Sequence, residues 1–218
     1  IGGINMFIFD WLINFMTESL NFLNGLVGNY GLAIILFTLI IKFILYPLTA
    51  KQTRSMKAMQ DLQPELEEIK EKYDDDKEQQ QQEMMKLYRE NNVNPAAGCL
   101  PMILQLAILI PLYRAIYHMG DVMAEANFLW IDSLAKPDAA IVIINAIAMI
   151  GQTYITQSVS GSGGGSSKMM WIMPLFILFI GFQIPSGILL YWFTSTIFTG
   201  AQQYLLSQES NAKEAVEK

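Results

Sequence analysis

The residues that most enzymes depend on are scarce in this chain. One cysteine, Cys99, and one histidine, His118, are all that 218 residues contain. A single cysteine closes no disulfide within the chain, and without a Cys/His cluster there is no metal site of the usual kind. His118 has no Ser or Cys partner suggested by its neighbours, and no phosphate-binding loop is present, so an intramembrane protease or other catalyst lacks its parts. The sequence reads as that of a non-enzyme with no cofactor. Charge is scarce too, at 16% of residues against 52% hydrophobic, and it is absent for 40 residues from Met169 to Gln208.

What is there is apolar length. A bilayer core of roughly 30 Å takes about 20 apolar residues per helical span, and runs at about 30–49, 97–118, 138–157, 169–184 and 187–206 meet that need. The charge-free stretch would be about 60 Å long as one helix. It is therefore read as two, turning at "IPSGI", Ile184 to Ile188, where Pro and Gly flank Ser. The result is an all-α integral membrane protein with five transmembrane helices.

Lysine and arginine set its orientation. Eight lie in the segment 51–94, Lys168 lies between the third and fourth spans, and Lys213 and Lys218 lie in the tail 207–218, whereas the opposite loops hold only Lys136. Eleven against one puts the long hydrophilic segment and the C-terminus in the cytoplasm and the N-terminus outside. The net charge of −6 does not oppose this, because acidic residues count little in topology.

Three stretches flank or interrupt the spans. In residues 1–29, Asp10, Asn14, Thr17, Glu18, Asn21 and Asn24 recur at helical spacing, one polar stripe on an apolar cylinder, as expected of an amphipathic helix lying on the outer membrane surface. It has no basic n-region, which argues against a signal peptide, while its start at Ile1 points to a processed leader or cloning scar ahead of it. In 51–94, Leu62, Leu66, Ile69 and Tyr73, then Met84, Leu87 and Tyr88 after the acidic run Asp74 to Asp76, make two apolar stripes that predict a cytoplasmic helical hairpin. A solvated spacer is the alternative. The run "SGSGGGSS", 160–167, has the composition of an engineered flexible linker in place of a native loop.

Four motifs, in this order and spacing, carry a resemblance: "YPLTAKQTRSMKAMQDLQPELEEIKEKY", "QEMMKLY", "VNPAAGCLPMILQ" and "PSGILLYW". Together they resemble the YidC/Oxa/Alb membrane-protein insertase family over about 31–206, in its Gram-positive form without a large extracytoplasmic domain. The resemblance implies five helices around a hydrophilic groove, open to the cytoplasm and the lipid and closed outside, with a cytoplasmic hairpin. It implies that Lys42 holds the position at which the family puts a basic residue to attract acidic segments of an incoming client. It also places Tyr191 and Trp192 beside the groove.

The residues themselves leave alternatives open. A charge at bilayer depth costs about 2.5–3.5 kcal/mol on insertion scales unless water or polar groups are near. Thr38 and Thr49 share a face with Lys42, and Gln105, Asn145, Gln152, Thr156, Tyr191, Ser195 and Gln202 extend polar stripes on other spans that together can enclose a hydrated cavity. Yet Lys42 could also snorkel to the cytoplasmic surface, Gln105 and Gln152 could serve as glue between helices, and Tyr191 and Trp192 could belong to an interfacial belt. Arg114, near the outer end of its span, fits snorkelling to headgroups. Pro111 and Pro174 are expected to kink or loosen their helices, whether to open a cavity or as tolerated kinks.

The function expected is that of a membrane protein insertase and chaperone of the bacterial cell membrane. Its partners would be nascent membrane proteins with short, often acidic, extracytoplasmic tails, the lipid bilayer, the ribosome and the Sec translocon, with no nucleic-acid binding of its own. A channel or small-solute transporter is the alternative, as is an assembly scaffold without insertion activity; no inverted repeat favours the transporter. If "SGSGGGSS" is a passive linker, changing its length by a few residues will leave the melting temperature and the rate of client insertion nearly unchanged, because loop length enters the entropy only logarithmically. A large loss of insertion on shortening would give this loop a function of its own.

Overall fold

The computed structural model describes residues 2–94, 100–160 and 165–216. Within these the chain is all helical: α1 Gly2–Val27, α2 Tyr30–Asp61, α3 Gln63–Lys72, α4 Lys77–Glu90, α5 Leu100–His118, α6 Gly120–Glu125, α7 Ala139–Ser160, α8 Gly165–Gly181 and α9 Ser186–Val216. Among the described residues α2, α5 and Ala139–Ser158 of α7 are long and apolar enough to cross a membrane. Pro95 to Cys99, within the motif "VNPAAGCLPMILQ", and the centre of the Gly/Ser run lie outside the described residues.

Local chemistry explains where the helices begin and turn. Gly28, at φ +69°, lets the chain reverse after α1 in a conformation that other residues adopt at a cost. Asn29 then caps α2, its Oδ1 accepting from Gly31 N at 2.9 Å and Leu32 N at 3.2 Å. The same side chain donates to Asn127 O at 3.0 Å, tying this turn to the loop before α7. Asp138 caps α7 by accepting from Ile141 N at 3.0 Å. The expected break at "IPSGI" is present: α8 ends at Gly181 and α9 begins at Ser186. There Ser186 N and Gly187 N each donate at 2.9 Å, to Lys136 O and Leu134 O.

The first span differs from its expected length. The expected span covers 30–49, but α2 continues unbroken through Pro47 to Asp61. Pro47 withholds one N–H and releases one carbonyl, that of Phe43, and its own side chain is exposed, so nothing crowds the helix there. The continuation carries Ala50, Gln52, Thr53 and Met56 onto the buried side of α2. α9 likewise runs past the expected end at 206, to Val216.

The hairpin is made by α3 and α4, turning at residues 73–76. Leu62, Leu66 and Tyr88 are its buried centre, with Met59, Met84, Leu87 and Val93 packed around them; Ile69 and Tyr73 are half-buried. At the tip, the hydrogen bond and charge of Lys77, 2.8 Å away, hold the Asp74 carboxyl below the usual carboxylate range.

The main core occupies one half of the bundle. Ala33, Ile34 and Phe37 of α2, Leu112, Ala115 and Ile116 of α5, Ile141 and Val142 of α7, and Ile188 to Tyr191 of α9 pack together. Ile13, Met16, Leu20 and Leu23 of α1 join them, so one face of α1 packs on the bundle while Asp10, Asn14, Glu18 and Asn21 are exposed. Met123, Ile131 and Leu134, from α6 and the loop after it, close this end.

Gly31 is where that closure is tightest: a Cβ there would run into the ring of Phe128. Gly31→Ala is expected to destabilise the protein by about 1–3 kcal/mol, the usual cost of overpacking. Thermal unfolding of Gly31→Ala, alone and with Phe128→Ala, checks this; the second change should return part of the loss.

Candidate functional site

In the other half of the bundle the helices part. α2, α5, α7 and α9 surround a cavity of about 270 Å³. Each contributes a stripe because each presents one face to the bundle axis, and polar residues recur on that face at helical spacing. From α2 come Lys42, Leu45, Thr49, Gln52, Thr53 and Met56. From α5 come Pro101, Met102, Leu104, Gln105 and Ile108; from α7, Met149 and Gln152; from α9, Trp192, Ser195, Thr196, Thr199, Gln202 and Gln203.

The cavity wall is a network of neutral donors and acceptors around one cation. Lys42 Nζ donates to Thr199 Oγ1 at 3.1 Å, and no carboxylate pairs with it among the described residues. Gln202 Nε2 donates to Thr49 Oγ1 at 2.6 Å, Thr49 in turn lying 3.2 Å from Leu45 O of its own helix. Ser195 Oγ donates to Gln105 Oε1 at 3.1 Å, joining α9 to α5. Thr156 Oγ1 donates to Gln203 Oε1 at 2.8 Å, joining α7 to α9. The cavity is a polar recess with one cation on its wall and apolar edges.

Of the residues singled out from sequence, Lys42, Thr49, Gln105, Gln152, Trp192 and Ser195 line the cavity. Thr38, Asn145 and Tyr191 do not. Thr38 is buried and its Oγ1 donates back to Ile34 O at 2.7 Å. Asn145, with no exposed surface, donates from Nδ2 to Leu189 O at 2.6 Å, pinning α7 to α9. Tyr191 is buried with its hydroxyl near Gln105 and Ser195 but without a hydrogen-bond partner among the described residues. Sequence reasoning missed Gln52, Thr53, Thr196, Thr199 and Gln203 as site residues. A signal existed: Thr49, Gln52, Thr53 and Met56 follow Lys42 at i+7, i+10, i+11 and i+14, and Thr199 follows Ser195 at i+4. It was hidden on α2 because the expected span ends at 49, short of Gln52, Thr53 and Met56.

The arrangement has relatives. The model of the 60Kd inner membrane protein family matches residues 22–214. The chain is 40% identical over 207 residues to the membrane protein insertase YidC of Fusobacterium nucleatum, covering 93% of this chain and 98% of that protein. It is 41% identical over 204 residues to the membrane protein insertase YidC 2 of Bacillus anthracis, covering 90% of this chain and 80% of that protein, a likeness that accords with the expected Gram-positive form. With YidC of Geobacter sulfurreducens it shares 38% identity over 215 residues, 98% of this chain but 40% of the longer relative. Among solved structures, an active YidC insertase with its first transmembrane domain resolved superposes with a TM-score of 0.72 at 34% identity, over 88% of this chain and 45% of that one.

The placement of Asn145 yields a measurable expectation. As a bond between α7 and α9 away from the cavity wall, its loss in Asn145→Ala should lower stability by about 1–3 kcal/mol, the cost of leaving a buried partner unpaired. Thermal unfolding decides it; an unchanged melting temperature would mean that the amide does not hold the two helices.

Proposed function

The chain belongs to the 60Kd inner membrane protein family, the YidC/Oxa insertases, and from that premise we propose that its cavity is the groove through which the hydrophilic tail of a client membrane protein crosses the bilayer. The protein is an integral membrane protein that inserts other membrane proteins into the lipid bilayer. Its clients are read as membrane proteins with short, often acidic, extracytoplasmic tails. The single observation that carries the groove reading is Lys42, a cation on the wall of a polar recess with a threonine hydroxyl and, among the described residues, no carboxylate for company.

In this reading α8 and α9 add two spans to the three apolar helices α2, α5 and α7. The distribution of basic residues supports an N-terminus outside and the hairpin and C-terminus in the cytoplasm. α1 lies along the outer surface, its exposed Trp11 and Phe15 facing the lipid boundary. The ribosome and a Sec translocon act as partners on the cytoplasmic side and in the membrane.

The mechanism has no chemical step. A client's apolar segment slides along the lipid-facing edge of the groove while its tail enters the recess and pairs transiently with Lys42. The tail then has a shorter nonpolar distance to cross. Partition of the client's apolar surface into lipid supplies on the order of 25 cal/mol per Å². A membrane potential positive outside adds about 2.3 kcal/mol per negative charge per 100 mV. Since Lys42 acts by charge and makes one hydrogen bond to the wall, arginine can replace it.

The test is insertion of one client, with tail charge varied, by variants reconstituted at equal amounts. Lys42→Arg should keep the activity. Lys42→Ala should lose it on the order of tenfold for an acidic tail, the worth of a charge-assisted contact, and Lys42→Glu should lose more by repulsion. A neutral tail should relieve the dependence. If Lys42→Ala inserts the acidic-tailed client as well as the parent does, attraction in the groove is wrong for this protein.

A further inference from the structure

Gln52 occupies the cavity wall in a manner that charge attraction leaves unused. It stands on the α2 stripe with Lys42, Thr49 and Met56, ten residues or about 15 Å of helix beyond Lys42 toward the hairpin. Its side chain is 5% exposed, and neither Nε2 nor Oε1 has a hydrogen-bond partner among the described residues. Several other polar groups on the wall are at least partly engaged: Lys42 with Thr199, Thr49 with Gln202, Gln105 with Ser195.

A buried amide with both ends unpaired has given up its hydration and received nothing in return. Leucine or methionine would fill similar space without that penalty. The amide therefore fits a partner that enters and leaves the cavity. Met56, Met102 and Met149 line the same wall, and their unbranched, flexible side chains can shift to uncover Gln52 when a chain enters.

We propose that Gln52 pairs with the main chain of the client's hydrophilic segment, Nε2 donating to a peptide carbonyl and Oε1 accepting from a peptide N–H. The proposal rests on the reading of the cavity as the client groove. A planar side-chain amide has one donor side and one acceptor side, the complement of an extended peptide group. Lys42 has donors only, so it reads charge. An extended tail lacks the internal hydrogen bonds of a helix, and each unpaired peptide group is costly to bring into apolar surroundings. Gln52 lowers that cost for any tail, whatever its sequence, because all clients share a backbone. The spacing adds a register rule. An extended chain rises about 3.3 Å per residue, so the peptide held by Gln52 lies about four or five residues from the acidic side chain held by Lys42.

An ester scan tests this. A client with one fixed acidic residue carries a single backbone ester, which removes one N–H and weakens one carbonyl, at successive tail positions. Its insertion is timed in liposomes containing the parent or Gln52→Leu. With the parent, an ester about four or five residues from the acidic residue should slow insertion about three- to tenfold, and other positions little. With Gln52→Leu, the all-amide client should be slowed by a similar factor and the ester should add nothing. Gln52→Leu should melt no lower than the parent and should keep the preference for acidic tails set by Lys42.

The proposal is overturned if no ester position matters with the parent, if Gln52→Leu inserts at the parent rate, or if its loss is matched by a marked fall in melting temperature. Should Gln52→Leu fail to fold, the scan with the parent decides alone. An intact charge preference without an ester effect removes Gln52 from the mechanism and leaves the groove reading standing; loss of the charge preference in Lys42→Ala tests that reading separately.

Discussion

A lysine inside an apolar helix has to be given polar company, and the arrangement of this molecule follows from that requirement. Lys42 interrupts a run that would otherwise pack as a featureless span. An unpaired cation in hydrocarbon is costly, and a buried carboxylate partner would exchange one desolvation penalty for two. The structure takes a third course. Hydroxyl and amide side chains from α2, α5 and α9 meet around the charge, with Gln152 of α7 on the same wall, and the helices stand far enough apart to leave a recess. A neutral polar wall stabilises the cation without supplying a counter-charge.

That solution divides the bundle in two. Toward the turns at Asn29, Asn127 and Ser186 the helices are drawn together by apolar side chains and by hydrogen bonds between loops far apart in sequence. Toward the hairpin the same helices diverge. α5 shows the change within its own length: Leu112, Ala115 and Ile116 are buried, whereas Met102, Ile103 and Leu106 are exposed. Pro111 lies at the boundary, buried itself and unable to donate the N–H that would tie it to Ala107. One bundle thus combines a half packed by apolar side chains with a half that encloses a polar cavity.

Hydrogen bonds between helices do different work in the two halves. Asn145 to Leu189 O is shielded and fixes helix position. Gln105 to Ser195 and Thr49 to Gln202 lie on the cavity wall. The same residue types therefore join helices inside the packed half and on the wall of the cavity.

Much of this was legible in the linear sequence for simple reasons. Apolar length, the absence of charge from Met169 to Gln208 and the Pro-Ser-Gly turn determine the helical class and the division of that stretch into α8 and α9, because chain that lacks polar groups must satisfy its backbone within helices. Lys42 stood out because a charge in such a run is rare. The hairpin was visible as two apolar stripes broken by three aspartates. What tertiary structure alone decided was which polar residues face the recess. Thr38, Asn145 and Tyr191 carry the same periodic pattern as Thr49, Gln152 and Ser195, yet they lie in or beside the dry half; position along the axis, where helices converge or part, separates the two groups. The passage of α2 through Pro47, which put Gln52 and Thr53 on the wall, was likewise undecidable from propensity, since one lost backbone bond is small beside the packing of a long helix against its neighbours.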